Sequence, residues 1–248
     1  VYEGVETAVV VRDDALVRDM ARSAPRRVTV GSDAPGAATD FGVQEGWFVR
    51  GRQRLAPRSI LPLPGRHNEI DALAALALAE AMGVAPEAAI EGFASFQGLP
   101  HRVETVAVRA DGVRFIDDSK GTNVGATIAA LAGFEAPVIL IAGGDGKGQS
   151  FAPLAQAAHG RVRLALLIGR DAPALEAAFA QAGVPTRRCT SLPEAVALAD
   201  AAARPGEAVL LSPACASLDM FRDYAHRSEV FLAAIRSLPG GEGRWSMR

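Results

Sequence analysis

Apolar runs that end in polar, glycine-containing loops are the dominant pattern of this chain. The apolar run 113–116 ends in the segment 117–123 (DDSKGTN), and the run 138–141 is followed by the segment 143–148 (GGDGKG). In an open parallel sheet, loops at the carboxyl ends of neighbouring strands meet in one crevice, where ligands bind. Each of these loops carries an Asp and a Lys, so we expect the crevice to bind an anion.

From residue 99 onwards, the signals of strands and helices alternate. Strands are predicted at 103–108 and 113–116, joined by an Asp-Gly hairpin at 110–112. Further elements are predicted in alternation, beginning near residues 123, 138, 151, 164, 171, 184, 191 and 208. A last long helix is predicted from the segment 212–217 to Arg236, and the tail after Leu238 carries no element signal. Such alternation specifies a doubly wound α/β domain with a mostly parallel sheet.

The first 64 residues are less regular. Three short runs rich in β-branched and apolar residues are typical of strands at the end of a sheet, and they lie at 7–11, 27–30 and 47–49. A helix is predicted from Ile70 to Ala81, with Asn68 as its N-cap, and a second helix begins near Pro86. We expect a domain boundary at Leu99–Arg102, where the irregular pattern gives way to alternating strand and helix signals.

Composition narrows the class of protein. The chain has 248 residues, 49% of them hydrophobic, which suits one large or two ordinary globular domains. With a formal net charge of -2, the chain lacks the positive electrostatic field expected of a general nucleic-acid binder. No run approaches the ~18 apolar residues of a membrane span, and no signal peptide is visible. We therefore expect a cytoplasmic monomer that binds neither nucleic acid nor membrane. Because the first residue is Val1 and not Met, the natural start is expected to be missing.

The cysteines and histidines do not predict a metal site. Cys189 and Cys215 match no zinc or C-x-x-C spacing, which fits free thiols in a reducing compartment. The four histidines also lack a motif such as H-E-x-x-H. We therefore expect no metal ligands within this chain.

Lys147 is the first candidate for chemistry. Glycines around it would let backbone amides approach an anion while its ammonium supplies a point charge, although Gly-Asp-Gly-Lys is equally common in exposed turns. The loop is not a Walker loop, because G-x-x-x-x-G-K-[ST] requires Gly at position 141 and Ser or Thr at position 148. The chain has Ile141 and Gly148 instead.

The segment 118–122 admits two interpretations. Asp118 or Thr122 could simply cap the helix that follows. Alternatively, an anion could lie at that helix N-terminus, with Lys120 and the hydroxyls of Ser119 and Thr122 completing its site. Arg102, just before this domain, has the planar fork that suits phosphate or carboxylate.

The loop 212–217 is the third strand-end loop. It lacks the G-x-S-x-G signature of a serine nucleophile, so Ser217 is interpreted as a helix cap or as a hydroxyl that binds a carboxylate. Tyr224 is expected two turns into the last helix, where a core position is the simpler alternative.

Five blocks of sequence, in this order, resemble the Mur ligases. They are Gly65-x-His67-Asn68, Gly98-Leu99-Pro100-His101-Arg102, Asp118-Ser119-Lys120-x-Thr122-Asn123, Gly143-Gly144-Asp145-Gly146-Lys147 and Leu211-Ser212-Pro213-Ala214-Cys215-Ala216-Ser217-Leu218-Asp219. The resemblance runs from Val1 to Ile235, and within the family it is to the members that add D-glutamate.

The resemblance implies the fold and the reaction. Residues 1–98 would be the end of a central ATPase-type α/β domain, and residues 99–248 a carboxy-terminal Rossmann-like domain. ATP and Mg²⁺ would be the cofactors, with the metal ligands mainly upstream of this chain. ATP would phosphorylate UDP-N-acetylmuramoyl-L-alanine, and D-glutamate would attack the acyl phosphate in peptidoglycan precursor synthesis. The chain would be a fragment that lacks the Walker loop and the uridine-binding domain, and it would be inactive alone.

The resemblance also implies roles for particular residues. The nucleotide would be bound by Asn68, Asp71, Arg102, Asp118 and Lys120. D-Glutamate would be bound by Lys147, Thr122, Ser217 and Tyr224, with Lys147 also catalytic. The chain departs from the family pattern at Asp71 and Tyr224, where members usually have Asn and Phe. Two alternatives remain open: a non-catalytic module that binds a nucleotide or an acidic metabolite, and a ligase similar to folylpolyglutamate synthase.

Overall fold

The structure, a computed structural model, describes residues 2–63, 65–239 and 245–247. The chain forms two compact units, Val1–Gln97 and Gly98–Arg248. The assignment of each unit to a domain of the Mur ligases stays a prediction.

The first unit contains a five-stranded sheet in the order β1-β2-β3-β4-β5. Its strands are β1 (Thr7–Val11), β2 (Arg26–Val30), β3 (Phe41–Gln44), β4 (Trp47–Arg50) and β5 (Gln53–Pro57), and a short helix α1 (Ala15–Met20) follows β1. The first three strands pair in parallel, and β3, β4 and β5 pair antiparallel. The three apolar runs found in the sequence form β1, β2 and β4, whereas β3 and β5 were not predicted.

Two helices complete the first unit, α2 (Arg66–Ala81) and α3 (Pro86–Ser95). Leu73 and Leu76 of α2 are fully buried in a core that they share with the sheet. The prediction that Asn68 caps α2 is wrong. The N-cap is Gly65 at φ +107°, a conformation that glycine adopts readily, so the helix begins earlier and Asn68 lies within its first turn.

The second unit contains a seven-stranded sheet in the order β10-β9-β8-β11-β7-β6-β12. Its strands are β6 (Glu104–Arg109), β7 (Arg114–Asp117), β8 (Val138–Gly143), β9 (Val162–Ile168), β10 (Thr186–Arg188), β11 (Ala208–Leu211) and β12 (Trp245–Met247). The strands from β10 to β7 pair in parallel, whereas β6 and β12 are antiparallel to their neighbours. The predicted hairpin is formed by β6 and β7.

Helices cover both faces of this sheet. They are α4 (Val124–Ala132), α5 (Ala152–Ala158), α6 (Ala172–Gln181), α7 (Leu192–Ala202) and α8 (Tyr224–Arg236). One core contains residues of α4, α5 and α6, and the other contains residues of α7 and α8. All six residues of β8 are buried, as expected for a strand covered on both faces. The predicted doubly wound α/β fold is confirmed.

Two predictions for the second unit are wrong. α8 begins at Tyr224, capped by Asp223 Oδ1, which accepts a hydrogen bond of 2.8 Å from His226 N. Ser217 therefore lies before the helix, and Tyr224 is its first residue. In the tail, Trp245–Met247 forms a strand that pairs antiparallel with β6, and the ring centroids of Trp245 and Phe115 lie 5.1 Å apart. Residues 240–244 of this tail lie outside the described residues.

Of the helices in the described part of the chain, none is both long and apolar enough to cross a lipid bilayer. Cys189 and Cys215 are buried free thiols, and burial raises the pKa of Cys215 to about 12.

Candidate anion-binding site

Three loops of the second unit follow neighbouring parallel strands. Loop A (118–123) follows β7, loop B (144–151) follows β8, and loop C (212–223) follows β11. Because β11 lies between β7 and β8, loop C begins between the other two. The chain order reverses at this point of the sheet, which is where doubly wound folds bind their ligands.

Loops B and C are paired through their backbones. Asp145 N donates to Ala216 O at 3.0 Å, and Ala216 N donates to Asp145 O at 2.8 Å. A Cβ at Gly144, which has φ +130°, would lie 2.2 Å from Ala216 O. Glycine at 144 therefore permits this close approach, which positions Lys147 and Ser217 on paired segments of backbone.

Loops A and C are joined by backbone and side-chain hydrogen bonds. Ala214 N donates to Gly121 O at 2.9 Å. Arg227, which is fully buried, donates from Nη2 to Ser119 O at 2.8 Å and from Nη1 to Cys215 O at 3.2 Å. Burial lowers the pKa of Arg227 to about 10. Its guanidinium thus adds positive charge beneath the loops while holding two of them together.

Gln149 of loop B completes the connection between the three loops. Its Nε2 donates to Ala214 O at 2.7 Å, and its Oε1 accepts from Val124 N at 3.0 Å, at the start of α4. The three loops are therefore one hydrogen-bonded unit, preorganised before any ligand arrives.

The only two lysines in the sequence, Lys120 and Lys147, lie in loops A and B. Every other basic residue among the 26 is an arginine. Lysine supplies a compact ammonium on a flexible stem, whereas arginine supplies a planar fork, so the two are not interchangeable in an anion site. This compositional signal was available from the sequence and was missed.

The two lysines have different surroundings. Lys147 is exposed at φ +53°, and its N–H donates to Asp145 Oδ1 at 2.9 Å. Within residues 2–63, 65–239 and 245–247, no ion pair holds its ammonium. The ammonium of Lys120 lies 3.9 Å from the centroid of the Tyr224 ring, a cation–π contact. Lys147 is therefore available for an anionic ligand, and Lys120 is held by an aromatic ring.

The hydroxyl groups of Thr122 and Ser217 are not used as helix caps. Asn123 caps α4 through Oδ1, which accepts from Ala126 N at 2.9 Å, so the alternative that Asp118 or Thr122 caps this helix is wrong. Ser217 is buried, and the hydrogen bonds made by its carbonyl lie within loop C. Since Asn123 and Gln149 already occupy two N–H groups of α4, the loop side chains offer more to an anion than the helix N-terminus does.

Asp118 is a buried carboxyl group beside Arg102. It accepts a hydrogen bond of 2.6 Å from Ser212 Oγ and another from the Val103 N–H. Burial raises its pKa to about 6, against the lowering effect of these hydrogen bonds and of the Arg102 charge. Val103 and His101 flank Arg102 at φ +51° and +64°. Such backbone strain and a shifted pKa are common at functional sites.

The raised pKa of Asp118 predicts a pH-dependent effect of Asp118→Asn. A carboxyl group whose folded pKa is raised favours the folded state at low pH, and this contribution is lost as the pH rises from about 4 through 6. Relative to the native chain, the variant should therefore gain about 2–3 kcal/mol in free energy of unfolding between pH 4 and pH 7. Urea unfolding of both proteins at the two pH values measures this gain. If the free energies of unfolding of the two proteins differed by the same amount at both pH values, the raised pKa of Asp118 would be contradicted.

Asn68 and Asp71 lie on α2 in the first unit, Asn68 half-buried and Asp71 exposed. Their predicted contact with the nucleotide stays a prediction.

A cluster that the sequence did not predict lies beside loop A. Atoms of His101, Glu104 and Asp117 lie within 4.8 Å of one another, which makes this a geometric candidate for a metal site. Asp117 is fully buried and already accepts hydrogen bonds from His101, Ser119 and Ser228. These contacts account for its oxygens without a metal. Spacing could not reveal the cluster, because His101 and Asp117 are 16 positions apart.

The second unit is a Rossmann-like domain with a doubly wound sheet. Its interlocked loops, which carry two lysines and two hydroxyl groups beside a buried carboxyl group, form a candidate anion-binding site. Residues 101–215 match the model of the family "Mur ligase, glutamate ligase domain". This match confirms the resemblance to the Mur ligases found from the sequence blocks.

Similar proteins extend the likeness to nearly the whole chain. UDP-N-acetylmuramoylalanine–D-glutamate ligase of Aromatoleum aromaticum is 55% identical over 96% of this chain and 52% of its own length. The protein of the same name from Nitrosospira multiformis is 49% identical over 95% of this chain and 50% of its own length. The chain thus spans about half the length of the curated relatives that it matches.

Among solved structures, Mycobacterium tuberculosis folylpolyglutamate synthase complexed with ADP aligns with a TM-score of 0.63 and 20% identity. The alignment covers 91% of this chain and 55% of that one. At this identity the likeness supports the fold alone.

Proposed function

We propose that this chain forms the glutamate-binding half of an ATP-dependent ligase that adds D-glutamate to UDP-N-acetylmuramoyl-L-alanine in peptidoglycan precursor synthesis. The observation that carries the proposal is the placement of the only two lysines in interlocked strand-end loops, beside the hydroxyl groups of Thr122 and Ser217. A dicarboxylate requires two or more cationic or hydroxyl partners, and these loops supply them. The names of the similar proteins support the choice of D-glutamate.

In the proposed reaction, the terminal carboxylate of UDP-N-acetylmuramoyl-L-alanine attacks the γ-phosphorus of ATP, giving an acyl phosphate and ADP. The amine of D-glutamate then attacks the acyl carbon. Phosphate leaves as the carbon–oxygen bond breaks, and the nitrogen loses a proton to complete the amide. The role of this chain is to hold the attacking amine in position, which is a large part of the rate enhancement of a two-substrate reaction.

Particular residues take the following roles in the proposal. Lys147 binds a carboxylate of D-glutamate with its ammonium, and the hydroxyl groups of Thr122 and Ser217 donate to the same substrate. The ring of Tyr224 forms an apolar wall of this site. Arg102 and Lys120 bind phosphate oxygens, and Asp118 contacts the nucleotide. Asn68 and Asp71 contact the adenine.

The phosphate-binding loop is proposed to lie outside this chain. The sequence contains no G-x-x-x-x-G-K-[ST] segment. About half the length of the curated relatives lies beyond the match, and we assign the loop to that half.

Mg²⁺ accompanies ATP in the proposed reaction, so its fit was tested against the cluster of His101, Glu104 and Asp117. Mg²⁺ requires near-octahedral oxygen ligands and retains several waters. The cluster offers a histidine nitrogen and two carboxylates, and the two oxygens of Asp117 already accept hydrogen bonds from four donor atoms. The cluster does not fit Mg²⁺, and no step of the reaction is assigned to a metal here. We further propose that the complete ligase acts as a monomer in the cytoplasm.

A chimaera tests the proposed function. It joins the amino-terminal half of the Aromatoleum aromaticum relative to this chain, which is 55% identical to the part replaced. ADP formation is measured with ATP, Mg²⁺, UDP-N-acetylmuramoyl-L-alanine and D-glutamate. The full-length relative is the positive control, and each half alone is a negative control.

D-Glutamate-dependent ADP formation by the chimaera alone is the expected result. Turnover with L-glutamate and a folate acceptor would favour the ligase similar to folylpolyglutamate synthase. An inactive but folded chimaera, together with binding of ADP or glutamate by this chain, would favour a binding module.

A further inference from the structure

We propose that Asp117 and His101 form a positioning pair for Lys120, acting through the ring of Tyr224. Neither member of the pair contacts substrate in this proposal. Its consequence for catalysis rests on the proposed function, but the arrangement of the side chains can be tested without any reaction.

Asp117 is the fixed end of this chain of contacts. Its Oδ1 accepts from Ser119 N at 2.9 Å and from Ser119 Oγ at 2.5 Å, and its Oδ2 accepts from Ser228 Oγ at 2.6 Å. The residue is fully buried, at the end of β7. A buried carboxylate with this many donors has one possible orientation, so it is a rigid anchor.

His101 connects this anchor to Tyr224. Its Nδ1 lies 2.8 Å from Asp117 Oδ2, so Nδ1 carries the proton and donates it in this hydrogen bond. The imidazole edge then meets the Tyr224 ring in a T-shaped contact, with the centroids 5.9 Å apart and the planes at 70°. Aromatic pairs favour this geometry. The orientation of the histidine ring therefore restricts that of the tyrosine ring.

Lys120 is held by the same histidine in two ways. Its N–H donates to the carbonyl of His101 at 3.1 Å, and its ammonium lies 3.9 Å from the centroid of the Tyr224 ring. A lysine side chain has many rotamers in the free state, and a ring at this distance selects among them. His101 thus fixes both the backbone and, through Tyr224, the charged end of Lys120.

This arrangement links two groups of predicted contacts. Lys120 is assigned to the nucleotide, and Tyr224 to D-glutamate. A fixed cation between these two groups would lie close both to the phosphate that leaves and to the D-glutamate whose amine attacks. Loss of the histidine ring should therefore disturb binding of D-glutamate without unfolding the protein.

The presence of only two lysines makes the arrangement directly observable in this chain. Reductive methylation with ¹³C-formaldehyde keeps each lysine cationic and gives one dimethylammonium signal for Lys120 and one for Lys147. Lys120→Arg and Lys147→Arg assign the two signals. Because Lys120 lies over an aromatic ring, its signal is expected upfield of that of Lys147 through the ring current.

His101→Asn is the decisive variant. Asparagine tolerates the positive φ of this position, and its amide can donate to Asp117 in place of Nδ1. The variant therefore preserves the anchor and removes only the ring edge. We expect the Lys120 signal to move downfield while the unfolding temperature stays close to the native value.

Three further variants complete the test. Tyr224→Phe keeps the ring and should keep the shift, whereas Tyr224→Leu should abolish it. His159→Asn, at an exposed histidine after α5, is the matched control and should change neither signal. A Lys120 signal that coincides with that of Lys147 in the native chain would overturn the proposal. An unchanged Lys120 signal in His101→Asn would overturn it as well, even if stability fell.

In the chimaera, His101→Asn and Tyr224→Leu should each raise KM for D-glutamate about tenfold, with a smaller change in kcat. A fall in kcat at constant KM would count against the positioning role. If the native chimaera shows no D-glutamate-dependent turnover, the proposed function fails, while the two lysine signals still decide whether the positioning pair exists.

Discussion

Lys147→Ala in the chimaera should lower D-glutamate-dependent ADP formation by about 10²-fold or more, the scale of losing one preorganised charge stabiliser. Lys147 is exposed on loop B, and among the described residues its ammonium has no ion-pair partner, so its charge is available for the substrate. The rate of ADP release at saturating ATP, measured over a range of D-glutamate concentrations, gives the loss. Most of it should be in kcat/KM for D-glutamate.

Two controls separate the role of Lys147 from a general effect of charge. Arg187→Ala removes one positive charge from the exposed edge strand β10, so it changes the net charge equally, and it should retain native activity. Lys147→Arg keeps the charge but changes its shape, so its activity should lie between those of the native and alanine forms. Near-native activity of Lys147→Ala would refute its assigned role.

Gly144→Ala should destabilise the second unit by about 3–5 kcal/mol, a cost typical of a side chain forced against fixed backbone at a special φ. The new Cβ would lie 2.2 Å from Ala216 O at φ +130°, and the hydrogen bonds between Asp145 and Ala216 would have to break. Thermal unfolding should show a decrease of about 10 °C or more.

Gly148→Ala in the same loop is the matched control. Gly148 also has a positive φ, +74°, but a Cβ there would meet nothing within 4 Å. This variant should lose only about 1–2 kcal/mol of stability, the cost of an alanine in the left-handed conformation. Equal destabilisation by the two variants would mean that the close approach of loops B and C is not important for stability.

The sequence predicted the fold of the second unit well because its central strands are continuous apolar runs. The strand β8 is apolar until it reaches its last residue, Gly143, and burial on both faces of the sheet requires that pattern. Prediction failed where a short element depends on distant partners. β3 and β12 are four and three residues long, and their pairing with other strands stabilises them more than their own composition does.

The candidate site was predictable in part. The loops that carry Lys120, Lys147 and Ser217 followed from strand ends alone, since parallel strands bring their carboxyl ends together. The contacts between side chains did not follow, because they join positions far apart in the sequence. His101 reaches Asp117, and Arg227 reaches Ser119 across 108 positions. Periodicity carries no information about such pairs.

The position of β11 at the centre of the sheet has a consequence for biosynthesis. β7 and β8 are made first, yet they do not touch each other as neighbours, because β11 pairs with both of them. Until residue 211 has been synthesised, both strands expose unpaired apolar edges, which are prone to aggregation. Loops A, B and C can therefore assemble only late in translation, and a nascent chain that stalls before β11 is expected to need protection by a chaperone.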